Sequence, residues 1–344
     1  MAEGKRKRRR SSAVRVEDVA RVAGVSPITV SRALGNPDKV AEDTRKRVNE
    51  AVQKTGYVIN RFASSLRSGH STIISAFVSN LSNPHFANAL QGCADALDGS
   101  PYHLLMAQTG YSDKLQQDVV DQVLPFRPAA ALFTGIVQSG RTRTTLKKLG
   151  IPVVEMWDYR PDPVDMLVGF SNAEGGRLIG RHFAERGFRR VAYAGRTEDR
   201  GAQRLSGFSD GLGRVPELVL PLEGTRTVSD GLSAFDTVLE QLPDCDAVFF
   251  GTDLLAVGAL LRARQLCVPV PDQVAIAGYG DLDVSEHLSV PLTTIHVLSY
   301  EMGRQAGDLL RRRLNHEAVE ERIILSPISL EIRQSTTAGQ PSAS

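Results

Sequence analysis

The spacing G-x-S-x-G at residues 207–211, GFSDG, is one that can place a serine nucleophile for acyl transfer. Such a serine needs a sharp turn between a strand and a helix, which exposes its hydroxyl at the edge of a sheet. Here the motif falls within a helical pattern over residues 204–212, so we interpret the spacing as a chance match. Gly278 and Gly280 follow a predicted strand, but Asp283 occupies the third glycine position of a dinucleotide fingerprint. Since no P-loop is present either, the sequence predicts no catalytic residue and no cofactor.

A different kind of chemistry, contact with the bases of DNA, is indicated by residues 16–34, VEDVARVAGVSPITVSRAL. A first helix has small apolar residues on one face, and Gly24 stands where a left-handed residue ends a helix. Ser26 and Pro27 form an N-cap and first-turn pair for a second helix, on which Val30 faces inward. The N-terminal residues of a recognition helix lie against base edges in the major groove. The residues that this arrangement leaves for DNA contact are Ser26, Pro27, Ile28, Thr29, Ser31 and Arg32.

The surrounding elements decide between two interpretations of these helices, a DNA-binding helix-turn-helix and an ordinary helical hairpin. A third helix is predicted over residues 42–55, with Glu42 and Asp43 at its positive end and Gly56 at its stop. Residues 1–70 hold 16 Lys and Arg beside 7 Asp and Glu, whereas the rest of the chain holds 25 basic and 32 acidic residues. A basic head on an acidic body is typical of a protein that touches DNA phosphates at one end. The third helix and the basic charge favour the DNA-binding interpretation.

Residues 16–69 resemble the headpiece and hinge of the lactose-repressor family of bacterial transcription regulators. The resemblance is carried by the motifs D-V-A, A-G-V-S, T-V-S-R and T-R-x-x-V, by the G-Y after the third helix, and by N-R-x-A-x-x-L. Ile59 departs from the proline that the family usually has there. The resemblance implies a hinge helix over residues 59–70 that folds in the minor groove of operator DNA, with a leucine wedged between base pairs. Its implied DNA contacts are Asn60, Arg61, Ala63 and the wedge Leu66; without the family, the segment is simply a linker.

Other features of the sequence exclude several classes of protein. Cys93, Cys245 and Cys267 have no C-x-x-C spacing and the 7 histidines form no H-x-x-x-H pair, so we predict neither a disulfide framework nor a metal site. The N-terminus carries charge without an apolar stretch behind it, which excludes a secretory signal, and no apolar run has the length of a membrane span. We therefore expect a cytoplasmic protein with no membrane partner. The basic tail, residues 1–13, is expected to be disordered.

From residue 73 onward, short apolar strands alternate with amphipathic helices, first over IISAFV, HLLMA, AALF and PVVE and later over RVAYAG, PELVL, AVFF and VAIAG. This alternation predicts doubly wound parallel sheets covered on both faces. Two such sets in succession predict an α/β, periplasmic-binding-protein-like domain with two lobes and a ligand cleft between them. The predicted fold is an all-α helix-turn-helix headpiece followed by this domain. The predicted boundaries are 14–58 for the headpiece, 59–70 for the hinge, 71–333 for the two-lobed domain (lobe 1 over 71–160 and 291–318, lobe 2 over 161–290 and 319–333) and 334–344 for a disordered tail.

The family resemblance also implies an effector pocket at the strand ends of the two lobes. Arg204, in an R-L-x-G-F pattern, is the implied main cationic ligand. Trp157, the only tryptophan, is a candidate pocket floor because aromatic faces stack on sugar rings. Thr252 replaces the asparagine that is more usual in T-D-x-x-A-x-G, and Gly280 stands where many relatives have an acid. The alternative for each residue is a packing or capping role. The full set of candidate effector ligands is Ser79, Asn83, His85, Phe86, Trp157, Arg204, Thr252, Asp253 and Asp281.

Within the family, residues 151–172 and 275–283 most resemble the gluconate-utilisation repressors and their ketogluconate-responsive relatives. That resemblance implies an anionic sugar-acid effector, although a guanidinium such as Arg204 suits a carboxylate and also neutral hydroxyls. The whole pattern predicts a homodimeric repressor that binds a pseudo-palindromic operator and is controlled by a sugar acid. Three alternatives remain: a regulator of the same family that responds to a neutral sugar or another metabolite, a sugar-binding transport component, and an enzyme of sugar-acid metabolism. The second would need an export signal, and the third lacks a catalytic motif in its proper context.

Overall fold

The computed structural model describes residues 14–35, 37–58, 71–223 and 227–337. Contacts divide the chain into two compact units, residues 1–71 and residues 72–344. The predicted basic tail 1–13 and hinge helix 59–70, with Asn60, Arg61, Ala63 and Leu66, lie outside the described residues. Within the described ranges, no helix is long and apolar enough to cross a membrane.

In its described residues, 14–35 and 37–58, the first unit contains three consecutive α-helices: α1 (Val16–Ala23), α2 (Pro27–Gly35) and α3 (Glu42–Thr55). Val19, Val30 and Val48 are buried and bring one face of each helix into a small common core. Gly24 ends α1 with a φ of 65°, a left-handed conformation that favours glycine. The predicted helix-turn-helix and its third helix are confirmed.

The second unit alternates strands and helices along most of its length. In chain order its elements are β1 (Ile73–Val78), α4 (Pro84–Ala96), β2 (His103–Gln108), α5 (Asp113–Val123), β3 (Ala130–Phe133), α6 (Gly140–Leu149), β4 (Val153–Met156), β5 (Met166–Gly169), α7 (Asn172–Arg186), β6 (Val191–Gly195), α8 (Asp199–Leu212), β7 (Leu218–Pro221), α9 (Val228–Gln241), β8 (Ala247–Phe250), α10 (Asp253–Gln265), β9 (Ala275–Ala277), β10 (Thr294–Val297), α11 (Ser299–Leu314), β11 (Ile323–Leu325) and β12 (Ile328–Glu331).

Two parallel sheets form the two lobes. The strands of lobe 1 run in the order β11-β5-β4-β3-β1-β2, and those of lobe 2 in the order β7-β6-β8-β9. The strands β1, β3, β4, β6, β8 and β9 are almost entirely buried, as expected for parallel sheets covered by helices on both faces. The predicted α/β architecture with doubly wound sheets is confirmed.

The predicted division of the lobes is wrong at two places. β5 pairs with β4, Met166 opposite Val154, and β11 pairs with β5, Ile323 opposite Leu167. Both strands therefore belong to lobe 1, whereas the sequence predicts residues 161–290 and 319–333 in lobe 2. The physical reason is that a short strand finds its partner through long-range pairing, and β11 lies far along the chain from β5. β10 and β12 pair with each other in an antiparallel ribbon outside the two parallel sheets.

The predicted disorder of residues 334–344 is also wrong at its beginning. Residues Gln334–Thr336 form a turn of 3₁₀ helix in which Ser335 and Thr336 are buried. Ser335 Oγ donates to the Ile276 carbonyl at 2.6 Å and accepts from Thr293 N at 2.8 Å. These polar groups satisfy each other, so a polar sequence can pack here without an apolar face. Residues 338–344 lie outside the described part of the chain.

The glycines of the G-x-S-x-G spacing allow α8 to pack closely against α7. A Cβ at Gly207 would lie 1.8 Å from the Ala173 carbonyl oxygen, so only glycine lets the two backbones approach this closely. Ser209 lies inside α8 and donates to the Leu205 carbonyl at 3.0 Å. The interpretation of the motif as part of a helix is confirmed, although α8 begins earlier than predicted, at Asp199.

Candidate functional site

The outer face of α2 presents the residues predicted to contact DNA. Ser26, Pro27, Ile28 and Arg32 are exposed, and Ile28 keeps 71% of its surface accessible. Thr29 and Ser31 are half-buried beside them. Ser26 Oγ accepts a hydrogen bond from Thr29 N at 3.1 Å and so caps the helix, as its sequence position predicts. This is the arrangement that a recognition helix needs to lay its N-terminal turns in a major groove.

In the second unit, a cavity lies between the lobes, at the carboxyl ends of the strands of both sheets. Parallel sheets place ligands at this edge. Tyr279, which follows β9, and Gln116, which lies on α5, were not predicted but also line the cavity. The predicted effector ligands that line it are Ser79, Asn83, His85, Phe86, Trp157, Arg204, Thr252 and Asp253.

Arg204 is fixed in the wall of this cavity. Its Nε donates to Asn172 Oδ1 at 2.8 Å, its Nη1 donates to the Gly251 carbonyl at 2.7 Å, and its guanidinium carbon lies 3.8 Å from the centre of the Tyr279 ring. Of the carboxylates in the described ranges, none forms an ion pair with Arg204. A guanidinium has five N–H donors, so the positioned cation retains donors for a ligand.

Trp157 lines the cavity from the end of β4, but it is only 4% exposed. Its ring packs against Phe86 and Phe170, with centroids 5.3 and 6.0 Å away. Its backbone has a φ of 71°, which is unusual for a bulky residue and costs energy that the surroundings must supply. Asn172 Nδ2 donates to the Trp157 carbonyl at 3.0 Å and holds this conformation.

Four polar atoms of the cavity lining are buried without a hydrogen-bond partner. They are His85 Nε2, Gln116 Oε1, Thr252 Oγ1 and Tyr279 Oη. Burial lowers the pKa of His85 to about 4, and the nearby Arg204 cation acts in the same direction, so the imidazole is neutral at physiological pH. Buried polar groups are nearly always paired in folded proteins. Their concentration in one cavity indicates a place where a polar ligand completes the hydrogen bonds.

Helix α8 also joins lobe 2 to lobe 1 across the cavity. Arg200 Nη1 donates to the Thr134 carbonyl at 3.4 Å, and Gln203 Nε2 donates to Asp158 Oδ2 at 3.1 Å. Arg200, Gln203 and Asp158 were not predicted as site residues. The spacing of Arg200 and Arg204, four apart on one helix, is the sequence signal that could have found the first of them.

Two of the predicted ligands have structural partners instead. Asp281 does not line the cavity, because its carboxylate pairs with Arg333 Nη1 at 2.6 Å and His296 Nδ1 at 2.8 Å. Asp253 touches the cavity, but its carboxylate accepts from Thr294 Oγ1 at 2.6 Å and from Ser285 Oγ at 2.7 Å. Burial raises the pKa of Asp253, and its hydrogen bonds join the start of α10 to β10 and to Ser285.

Ser79 and Asn83 shape the lobe 1 side of the cavity. Ser79 N donates to Thr134 Oγ1 at 2.9 Å, which ties the end of β1 to the end of β3. Asn83 Oδ1 accepts from His85 N at 3.0 Å and caps α4. Phe86 is 2% exposed and packs under the aromatic wall. These residues therefore position the cavity lining, whatever contact they make with a ligand.

Comparison with known proteins agrees with both units. Residues 15–60 match the bacterial regulatory proteins of the lacI family, and residues 181–336 match a periplasmic binding protein-like domain. The HTH-type transcriptional regulator GntR of Escherichia coli K12 is 30% identical over 313 residues, which cover 90% of this chain and 94% of that protein. The regulator of the same name from Pseudomonas aeruginosa is 32% identical over 326 residues, covering 93% and 95%. This chain belongs to the lacI family.

The fold comparison supports the same assignment. The crystal structure of a LacI-family transcriptional regulator from Silicibacter pomeroyi superposes with a TM-score of 0.86 at 29% identity, covering 94% of this chain and 99% of that one. As a lacI-family member, the chain is a DNA-binding transcriptional regulator, and regulators of this family are not enzymes. LacI-family repressors bind operator DNA and small-molecule effectors and act as dimers. The exposed face of α2 and the cavity between the lobes are the candidate surfaces for these two kinds of binding.

Proposed function

We propose that this protein is a repressor of sugar-acid catabolism genes that binds a pseudo-palindromic operator as a homodimer and responds to a sugar acid of the gluconate or ketogluconate class. Two headpieces related by a two-fold axis require two symmetric half-sites in the DNA. We expect it to act in the cytoplasm, since that compartment holds the bacterial chromosome. The effector lowers the operator affinity in this proposal.

The observation that carries the effector class is the position of Arg204. Its guanidinium is held by Asn172, by the Gly251 carbonyl and by the face of Tyr279, with no carboxylate partner in the described ranges. Charge-assisted hydrogen bonds to a carboxylate are roughly twice as strong as neutral ones, and more so where water is excluded. A cation fixed in this way favours a ligand with one anionic group.

The remainder of the lining suits the hydroxylated part of such a molecule. His85 Nε2, Gln116 Oε1 and Thr252 Oγ1 are buried without partners, and hydroxyl groups can donate to each of them. Leaving them unpaired costs about 1–3 kcal/mol per group, which a polyol would recover by binding. The sequence resemblance to the gluconate-utilisation and ketogluconate-responsive repressors points to the same ligand class.

In this proposal the effector controls DNA binding by changing the arrangement of the two lobes, which contacts across the cavity join. Arg200 and Gln203 reach from α8 to Thr134 and Asp158 in lobe 1, next to the ligand-binding residues. A ligand that binds one arrangement of the lobes better than another shifts the population toward it. Separation of the hinge helices in the liganded arrangement would weaken the operator complex, with the difference in effector affinity as the source of energy.

The test is isothermal titration calorimetry of the full-length protein with gluconate, 2-ketogluconate, glucose, ribose and a purine base, together with the fluorescence of Trp157, the only tryptophan. We expect one of the two sugar acids to bind with a micromolar to millimolar Kd and to change the Trp157 emission. The same ligand should raise the melting temperature, since at 100 times the Kd it stabilises the folded state by about 2.7 kcal/mol. A neutral sugar or the purine binding more tightly than both sugar acids would refute the sugar-acid assignment.

A further inference from the structure

His85 and Gly280 lie directly against each other in the wall of the cavity. His85 is near the start of α4 in lobe 1, and Gly280 follows β9 in lobe 2. A Cβ built on Gly280 would lie 2.2 Å from His85 Nε2, so the imidazole occupies the space that a side chain at position 280 would need. The φ of 136° at Gly280 independently requires glycine. Position 280 therefore offers no side chain to this nitrogen.

The two hydrogen-bond contacts of Ser299 favour one tautomer of His85, with the proton on Nδ1. Ser299 Oγ lies 2.8 Å from His85 Nδ1 and 3.3 Å from the Val297 carbonyl oxygen. Both contacts of Ser299 are hydrogen bonds at the same time in one tautomer only, in which the hydroxyl donates to the Val297 carbonyl and the serine oxygen accepts from His85 Nδ1–H. A neutral imidazole has one N–H, which leaves a lone pair on Nε2.

The neutral form is the one that this environment favours. Burial lowers the pKa of His85 to about 4, and the positive charge of Arg204 acts in the same direction. The ring also lies edge-on to Trp157, with centroids 6.4 Å apart, so its orientation is held from a second side. In the tautomer that Ser299 favours, His85 Nε2 is an acceptor without a donor, buried in the wall of the cavity.

We propose that His85 is a specificity-determining residue whose Nε2 accepts a hydrogen bond from one hydroxyl of the bound effector. This inference rests on the proposed function for the identity of the ligand. It divides the ligand between two residues: the carboxylate binds Arg204, and a particular hydroxyl binds His85, since a carboxylate oxygen has no proton to donate. A site built to pair with a substrate hydroxyl rejects the analogue that lacks it strongly, because the buried acceptor is then left unpaired.

The test is calorimetry of the full-length protein with gluconate and its monodeoxy analogues, on the wild type and on His85→Phe, which keeps a flat ring and removes the acceptor. We expect one monodeoxy analogue to bind the wild type at least tenfold more weakly than gluconate. His85→Phe should bind that analogue and gluconate within about twofold of each other, and still distinguish the other analogues as the wild type does. His85→Gln, which returns an acceptor, should recover part of the lost discrimination.

His103→Phe, at an exposed histidine on β2 of the same lobe, is the matched control and should behave as the wild type. The idea is overturned if His85→Phe retains the discrimination against every deoxy position, or if the ¹⁵N shifts of His85 in the wild type show Nε2 protonated. This second measurement does not depend on the stability of a variant. If only a neutral sugar binds, the proposed function fails, and the deoxy series of that sugar tests His85 in the same way.

Discussion

At the scale of single residues, Asn172 couples Arg204 to Trp157. Its Oδ1 accepts from Arg204 Nε at 2.8 Å, and its Nδ2 donates to the Trp157 carbonyl at 3.0 Å. Both ends of the amide are therefore engaged, and the cation and the strained tryptophan backbone hold each other in place. Arg204 and Trp157 could be predicted from a motif and a residue type. Asn172 could not, because its role comes from how the start of α7 packs beside α8 and β4.

The titration of His85 should appear in the stability of the protein. The pKa of His85 falls from an ordinary 6.5 to about 4 on folding, because burial disfavours its charged form. As the pH falls, His85 is protonated in the unfolded chain before it is protonated in the folded protein. The free energy of unfolding is therefore unaffected by His85 above pH 6.5 and decreases as the pH falls from 6.5 toward 4. The slope from one such group approaches about 1.4 kcal/mol per pH unit.

The measurement is urea denaturation between pH 7.5 and pH 4, values chosen to span roughly the interval in which one histidine titrates. The free energy of unfolding of the wild type should fall more steeply over this range than that of His85→Phe, because the variant lacks the titrating group. Other acidic and basic groups affect both proteins alike. Parallel curves for the two proteins would contradict the depressed pKa.

At the scale of elements, helices and strands with a clear period were predictable, and the pairing of short strands was not. The alternation from residue 73 onward predicted the strands of both sheets, apart from β5 and β11. β5 follows a proline-rich turn, and its four residues carry no alternation that separates them from a helix start. β11 pairs beside β5 only because the chain returns to lobe 1 after the long helix α11. Such long-range pairing leaves no local signal.

The close packing of α7 and α8 predicts the effect of a methyl group at Gly207. A Cβ there would lie 1.8 Å from the Ala173 carbonyl oxygen, so Gly207→Ala must push apart the helices that carry Asn172 and Arg204. We expect a loss of about 1–3 kcal/mol in the free energy of unfolding, as for overpacking in a core, and a weaker effector affinity. Urea denaturation and calorimetry measure the two effects.

Ser209→Ala is the matched control, since it alters the same G-x-S-x-G segment on α8. The Ser209 hydroxyl donates a hydrogen bond to the Leu205 carbonyl within the same helix. We therefore expect the free energy of unfolding to change by no more than about 0.5 kcal/mol. A stable Gly207→Ala with wild-type effector binding would show that the helices can separate freely. A Ser209→Ala that lost effector binding would show a role for this hydroxyl beyond the helix.

A substitution on the exposed face of α2 should weaken sequence-specific DNA binding more than non-specific DNA binding. Arg32 is exposed on this helix, and it makes no ion pair within the described headpiece residues. Arg32→Ala should cost about 1–3 kcal/mol on a selected operator and much less on random duplex, since a base contact is lost. Arg21→Ala on α1 is the control: it removes an exposed charge that is paired with Asp18, and it should affect both duplexes alike. Equal losses on both duplexes for Arg32→Ala would argue against base contact.

At the scale of the whole molecule, the candidate DNA-binding residues and the candidate effector-binding residues lie in different compact units. Helix α2 is in residues 1–71, and the cavity is in residues 72–344. Residues 59–70 connect them covalently, and the family resemblance predicts that this segment is the hinge helix. The two activities should therefore be separable by substitutions in one unit only.

Arg204→Ala should produce a repressor that binds DNA and no longer switches. The variant removes the cation that would pair with the effector carboxylate, and hydrogen bonds to charged groups contribute about 1.5–3 kcal/mol each. Fluorescence anisotropy with labelled operator, with and without saturating gluconate, measures both properties. We expect operator affinity within about twofold of wild type and no response to gluconate.

Trp157→Ala should keep a response at higher ligand concentration, because it removes packing area and leaves the charge in place.

Arg196→Ala is the matched control for Arg204→Ala, because Arg196 lines the same cavity but its guanidinium already pairs with Asp199 at 3.0 Å. Removing a neutralised arginine should leave the response to gluconate, whereas removing Arg204, which has no carboxylate partner in the described ranges, should abolish it. An Arg204→Ala variant that loses operator binding together with the response would mean that this residue supports the fold of the lobes. A wild-type response in that variant would place the effector carboxylate on another cation, and Arg200 would be the next to substitute.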